Sequence, residues 1–213
     1  NTGYNTAAKK KTSGAWVTLT NQYLLYRTNF HTLCPTTTSL NTSHFIRFNS
    51  VLYASKEEEL YKYDSVNEQF DSVGTITGAG EITSLAVYGP TLYFARSSGN
   101  YTTMNTSEAF SAAVTTATLF LEYDGTLYRS YQNDLYYGSD GSWSAAFPVG
   151  GDDVEIRGMA GMGDSLYMAT DKALFRFAPG NVVEEVVRFG AESSINGVGM
   201  VEYQGALYIP AAG

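Results

Sequence analysis

Gly89-Pro90-Thr91-Leu92-Tyr93, Asp124-Gly125-Thr126-Leu127-Tyr128 and Gly163-Asp164-Ser165-Leu166-Tyr167 are copies of one pattern, a turn followed by Leu-Tyr. Asn49-Ser50-Val51-Leu52-Tyr53 and Gln204-Gly205-Ala206-Leu207-Tyr208 extend it in both directions, with Leu-to-Leu steps of 40, 35, 39 and 41 residues. A short apolar or alternating run precedes each turn: Phe45-Ile46-Arg47-Phe48, Leu85-Ala86-Val87-Tyr88, Phe120-Leu121-Glu122-Tyr123, Met159-Ala160-Gly161-Met162 and Met200-Val201-Glu202-Tyr203. Two such runs joined by two turn residues form a β-hairpin. Eight residues after Tyr53, Tyr93, Tyr128 and Tyr167 comes another aromatic, Tyr61, Tyr101, Tyr136 and Phe175. That constant offset predicts a third strand paired in one fixed register, because a slip of one residue turns its apolar side chains to the other face.

A fourth, less regular strand is expected around Phe70 to Val73, Ala112 to Thr116, Ser144 to Val149 and Val182 to Val187. Units of four strands recurring at about forty residues are the mark of an all-β fold, the β-propeller of four-stranded antiparallel blades. A β-sandwich gives no reason for a motif at constant spacing. Residues 15–213 divide into blades near 15–43, 44–83, 84–118, 119–157 and 158–198, with 199–213 starting a further or closing blade. About five blades are visible, with room for a larger ring. Ala15 to Tyr26 aligns without gaps to Ser165 to Arg176, which makes it strands two and three of an early blade whose first strand is absent. Residues 1–14, with Lys9-Lys10-Lys11, have no apolar periodicity and read as an extended arm. Lys56-Glu57-Glu58-Glu59 reads as a solvated acidic loop between strands two and three. A chain that opens at Asn1 without Met and closes inside a repeat is expected to be processed or partial.

Composition agrees with a sheet protein that relies on its core. The 213 residues include 17 Tyr and 11 Phe, residue types that favour strands. One cysteine, Cys34, cannot form an internal disulfide. A net charge of −8 opposes binding to a phosphate backbone, whose affinity comes from cationic neutralisation. Runs such as Thr118-Leu119-Phe120-Leu121 are too short to span a bilayer, so a soluble protein with no membrane insertion is expected, and the single thiol leaves an extracellular setting open.

Chemistry is sparse. His31, Cys34 and His44 do not have the paired spacing of zinc ligands. Asp152-Asp153 with Glu155 brings three acids close in sequence, but neighbours on a strand point to opposite faces. Asp140 lacks the dense acid and glycine alternation of a calcium loop. The glycines near Gly158, Gly161 and Gly163 precede a strand instead of a helix, which a phosphate cradle requires; Gly161 and Gly163 fit tight strand packing and a hairpin turn. No catalytic residue, metal or cofactor is expected. Aromatics outside the repeat, Trp143, Tyr131 and Tyr137, are the candidates for contact with a ligand or partner, and packing of Trp143 against its own blade is the stronger competing expectation.

Leu135-Tyr136-Tyr137-Gly138-Ser139-Asp140-Gly141-Ser142-Trp143, Phe147-Pro148, Val154-Glu155-Ile156-Arg157-Gly158-Met159, Ser165-Leu166-Tyr167 and Ala173-Leu174-Phe175-Arg176 together resemble propeller-bearing proteins of tailed-bacteriophage virions. The likeness covers residues 118 to about 202. It implies a structural tail, nozzle, hub or fibre component, non-enzymatic, packed against other virion proteins or copies of itself, and brings no catalytic residues. A lectin-like propeller that binds host-surface glycans is the alternative; it predicts the same polar and aromatic residues in every blade, and Asn100 to Ser107 and Asp140 to Trp143 differ throughout. A propeller hydrolase is the third class and requires acids converging at a channel mouth.

Overall fold

The computed structural model describes residues 8–12, 15–19, 42–75, 80–139 and 141–212. Among these residues the secondary structure is all β, in strands β1 to β21. The first full sheet contains β3 (Thr42–Phe48), β4 (Val51–Lys56), β5 (Glu59–Asp64) and β6 (Gln69–Thr75); the second contains β7 (Ile82–Tyr88), β8 (Thr91–Arg96), β9 (Asn100–Asn105) and β10 (Phe110–Thr116). The third is built on β11 (Leu119–Tyr123), β12 (Thr126–Tyr131) and β13 (Asp134–Ser139). The fourth contains β16 (Ile156–Met162), β17 (Ser165–Thr170), β18 (Ala173–Ala178) and β19 (Val182–Arg188). In each, neighbours in sequence are neighbours in the sheet, and every pairing is antiparallel. A two-stranded sheet, β20 (Val201–Tyr203) with β21 (Ala206–Tyr208), follows.

The Leu-Tyr hairpins close on the turns that two-residue loops demand. Asn49-Ser50, Asp124-Gly125 and Gln204-Gly205 have positive φ at both positions, the backbone twist that matches strands leaving the turn. Gly89 and Gly163 supply positive φ at the first position of theirs. Strand alternation then sends Leu and Tyr to opposite faces. Tyr53 packs with Leu92 and Phe94 between the first and second sheets. Tyr93 packs with Leu127 between the second and third, Tyr128 near Leu166 between the third and fourth, and Tyr167 near Leu207 beyond the fourth. Each Leu therefore faces the preceding sheet and each Tyr the following one. Four core clusters are seams between sheets, while Ala54, Tyr61 and Phe70 group on the first sheet alone, and the first strands touch in series: β3 on β7, β7 on β11, β11 on β16 and β16 on β20.

Four expectations are corrected. The third-strand register is not constant: Tyr53, Tyr128 and Tyr167 pair with the residue nine later, but Tyr93 pairs with Thr103, ten later. Two residues separate the second and third strands elsewhere, whereas Ser97-Ser98-Gly99, with Gly99 at φ 90°, inserts a third. Tyr101 consequently turns to the Tyr93 face. The fourth strand at 144–149 is replaced by two short pieces on β13, β14 (Ser142–Trp143) and β15 (Phe147–Pro148). Gly138, at φ 137°, starts this reversal; a Cβ there would lie 2.3 Å from the Ser142 carbonyl oxygen. In the Lys56 to Glu59 stretch only Glu57-Glu58 forms the turn, and Lys56 is a buried strand residue. Finally, the arm at 1–14 contains β1 (Ala8–Thr12), paired with β2 (Ala15–Leu19) so that Thr12 opposes Ala15. This supplies the first strand thought absent; backbone pairing needs no apolar alternation, and lysines are common on edge strands. The remainder of the arm, and the proposed third strand near Tyr23 to Tyr26, lie outside the described residues.

Bulges recur at two levels. At the start of the first strand, Ser43, Thr83 and Arg157 are each an extra residue against the second strand. The fourth strands are interrupted as well: Val73 in β6 and Val186 in β19 are extra residues, and β10 shifts between Ala112 and Thr116.

Candidate functional site

The repeated bulge places polar residues where the first strands converge. A bulged residue bends its strand and re-aims the side chain. A cavity of about 880 Å³ lies there, walled by His44, residues 82–84, 118–120, 155–159 and 198–200, with Glu57, Glu81 and Ser97 contributed by the connections between strands. Bulged Thr83 donates from Oγ1 to the Thr118 carbonyl at 2.7 Å. Ser84, one residue on, donates to the Phe120 carbonyl and accepts from the Phe120 N–H, both at 3.0 Å. One hydroxyl thus stands in for a strand partner and pins β7 to the free edge of β11.

His44 holds the same place after the bulge in β3 and is hydrogen-bonded to the Thr83 backbone; burial, the larger effect, lowers its pKa from the ordinary value. Desolvation disfavours the charged imidazolium. At the equivalent Gly158, a Cβ would stand 2.0 Å from the Gly197 carbonyl oxygen, so only glycine admits the 197–200 loop against β16. Arg157, bulged like Thr83, pairs with Glu155 at 2.9 Å.

Glu57 and Glu81 are exposed at the mouth, and Glu155 is half-exposed. Three carboxylates against one guanidinium give this opening a negative field, which favours cationic or polyhydroxylated groups over anions. The Ser84 and Thr83 hydroxyls are spent on joining sheets. The chemistry on offer is therefore recognition by backbone groups, carboxylates and an apolar floor of Ile82, Leu119, Phe120, Ile156 and Met159.

A second, smaller cavity of about 160 Å³ lies between the third and fourth sheets at their hairpin turns. Tyr123, Tyr128, Leu166 and Phe177 contribute rings and aliphatic surface, and Asp124, Asp164 and Asn181 its polar groups. Tyr123 is anchored there by its hydroxyl, which donates to the Gly163 carbonyl at 2.6 Å. Its ring covers Gly161, where a Cβ would fall 1.9 Å from Tyr123 Cδ2.

The three aromatics singled out from sequence are not brought together and line neither cavity. Trp143 sits in the seam of the second and third sheets, its Nε1–H donating to the Tyr101 hydroxyl at 3.1 Å. The Phe120 ring lies 6.2 Å from it and the Arg129 guanidinium 4.9 Å. Buried Arg129 also lies 3.8 Å over Tyr136 and donates to the Thr116 carbonyl. Tyr137 stacks on Phe147 at 5.7 Å on the opposite face of the third sheet, and Tyr131 lies against Gly99. Asp152, Asp153 and Glu155 diverge: Asp153 pairs with Lys172, Glu155 with Arg157, and Asp152 is exposed. Among the described residues no group of three or more His, Cys, Asp or Glu could hold a metal ion; His31, Cys34 and Asp140 lie outside them. The cavity residues were missed because a bulge leaves little trace in one sequence. The signal present was a pair of polar residues, Ser43-His44 and Thr83-Ser84, directly ahead of an apolar run.

The sequence matches no protein-family model and no curated protein. The fold matches solved structures. The extracellular domain of a putative hybrid two-component system from Bacteroides thetaiotaomicron superposes with a TM-score of 0.60 at 13% identity, over 73% of this chain and 24% of that one. The computationally designed Ika8 protein gives 0.57 at 9% identity, over 80% of this chain and 55% of its own. A structural-genomics protein of unknown function from Bacteroides thetaiotaomicron gives 0.55 at 16%, over 80% and 56%. The chain thus spans about a quarter of the length of the first and little more than half of the others. Among the described residues no helix is long and apolar enough to cross a membrane.

Proposed function

We propose that the sheets are blades of a β-propeller, and that the chain is a non-enzymatic interaction scaffold working outside the cell or in a virion tail. The observation that carries this reading is the serial contact of the first strands around the larger cavity, with Leu of each repeat turned back and Tyr turned forward. That arrangement is what blades around a channel require. The cavity's hydroxyls are committed to joining blades, so its architecture serves rigidity. A rigid scaffold presenting variable loops suits attachment to neighbouring subunits. The likeness of residues 118–202 to propeller-bearing tail proteins supports a nozzle, hub or fibre role, self-association and contact with other virion proteins. The likeness to an extracellular domain supports an extracytoplasmic setting.

Electron microscopy of the native assembly tests this: class averages should show radial sheets about an axis, seated among other structural subunits. A monomer that turns over a glycan or peptide would overturn it.

The smaller cavity favours a second reading, carbohydrate binding at one seam. It has room for a single sugar ring between tyrosines and carboxylates. Its polar set is not repeated, because Gly89 stands where Asp124 stands one sheet later. A glycan array read with Asp164→Asn separates the two: loss of a glycan signal in the variant supports sugar binding, and no signal in either protein excludes it.

A further inference from the structure

The larger cavity offers more room than the joining of sheets requires. Its volume of about 880 Å³ falls in the range of roughly 300 to 1,000 Å³ typical of small-molecule sites, which set a few placed polar groups in mostly apolar walls. Leu119 and Val198, the latter 52% exposed, leave apolar surface open to it above a floor of Ile82, Phe120 and Ile156. An apolar group that displaces water from such surface is stabilised there.

Charge decides which occupant fits. The Ile82 N–H donates to the Glu57 carbonyl at 2.8 Å and the Ser97 N–H to the Glu81 carbonyl at 2.9 Å, so the backbone fixes Glu57 beside Glu81 at the rim. Among the described residues neither glutamate is in an ion pair. On the fourth sheet Arg157, the cavity's guanidinium, is taken up by Glu155 at 2.9 Å. Burial holds His44 below its ordinary pKa and so keeps it uncharged at neutral pH. Two uncompensated negative charges therefore stand over an apolar floor. An anion is repelled, a polyol finds the Thr83 and Ser84 hydroxyls already spent, and the described acids do not gather in a set of three that could hold a metal ion.

We propose that the larger cavity binds a small amphipathic cation, its ammonium group at Glu57 and Glu81 and its aryl or alkyl body against Leu119, Ile156 and Val198. Such a ligand goes beyond the scaffold role. Its seat is lined by residues between His44 and Met200, so it does not depend on a closed ring.

Trimethylammonium-diphenylhexatriene, a cationic fluorophore that brightens on leaving water, tests this with the intact chain; its propionate analogue carries the same body with the opposite charge. The cationic probe should bind saturably, and the propionate at least about tenfold more weakly. Glu57→Gln/Glu81→Gln should weaken the cationic probe about tenfold, and Val198→Lys, which sets a like charge in the wall, should weaken it as well. Glu68→Gln/Asp152→Asn removes equal charge at exposed positions outside the cavity and should leave binding unchanged. All these positions are exposed, and each variant should keep the parent circular-dichroism spectrum. Equal binding of both probes, no saturable binding of the cationic one, or an equal response of cavity and control variants overturns the proposal. Release of the probe by an oligolysine peptide but not by benzyltrimethylammonium would assign the cavity to a protein segment and overturn a small ligand.

Discussion

Leu127 and Leu207 occupy the same place in the repeat but live in different surroundings. Leu127 is buried in a seam with Tyr93, Tyr101 and Phe120, where the rings of Tyr101 and Phe120 meet edge to face at 5.2 Å. Leu207 belongs to a hairpin whose partners Val201, Tyr203 and Tyr208 are exposed. The motif by itself specifies a hairpin; stability comes from having a sheet on each side.

The largest effect separates these two leucines. Leu127→Ala should lower unfolding free energy by about 3 kcal/mol, the cost of a cavity in a packed core, and Leu207→Ala by less than about 1 kcal/mol. Urea titrations giving equal losses would remove the distinction between interior seam and open end. Next, Gly161→Ala forces a methyl into the Tyr123 ring and should cost about 1 to 3 kcal/mol as overpacking. Gly180→Ala, in open space at φ 88°, should cost less, limited to backbone strain. Circular-dichroism melts rank the pair.

A smaller effect comes from His44. Its folded pKa lies below the ordinary value because of burial, so near pH 6 the folded state binds fewer protons than the unfolded state. Stability is then complete above the unfolded pKa of about 6.5 and declines as pH falls below it. His44→Gln should flatten that part of the profile; an unchanged slope would place the titration elsewhere. The smallest effect is expected from Lys62 and Glu108, 2.5 Å apart across the first seam with side chains 41% and 36% exposed. A double-mutant cycle should give less than about 1 kcal/mol, falling with salt.

The hairpins were legible because each combined a two-residue turn with a Leu-Tyr pair, both local features. The face on which Tyr101 lands was not, because one added residue before Gly99 changes the register without disturbing the aromatic spacing. Trp143 stood out as a contact candidate because it falls outside the repeat in a loop rich in turn formers, although packing against its own blade was the competing reading. In the fold that loop bends back so that the indole fills the seam Tyr101 opened. The cavity was hidden for a related reason: Thr83 and Arg157 reach it through bulges, and which strand residue is extra depends on the partner strand. The −8 net charge showed its sign, but not that Glu57, Glu81 and Glu155 gather at one mouth.

The interrupted fourth strands bear on how copies of this protein coexist at high local concentration. β6, β10 and β19 are edge strands of their sheets, and an unbroken edge strand is a template on which a second molecule can extend the ladder. Val182, Val186 and Val187 of β19, each about half exposed, would make that edge adhesive. The extra residue at Val186 breaks the hydrogen-bonding rhythm a docking strand must match, and Glu184, Glu185 and Arg188 place charge along the same edge. Crowded neighbours can therefore meet through side chains and loops without fusing their sheets into fibrils.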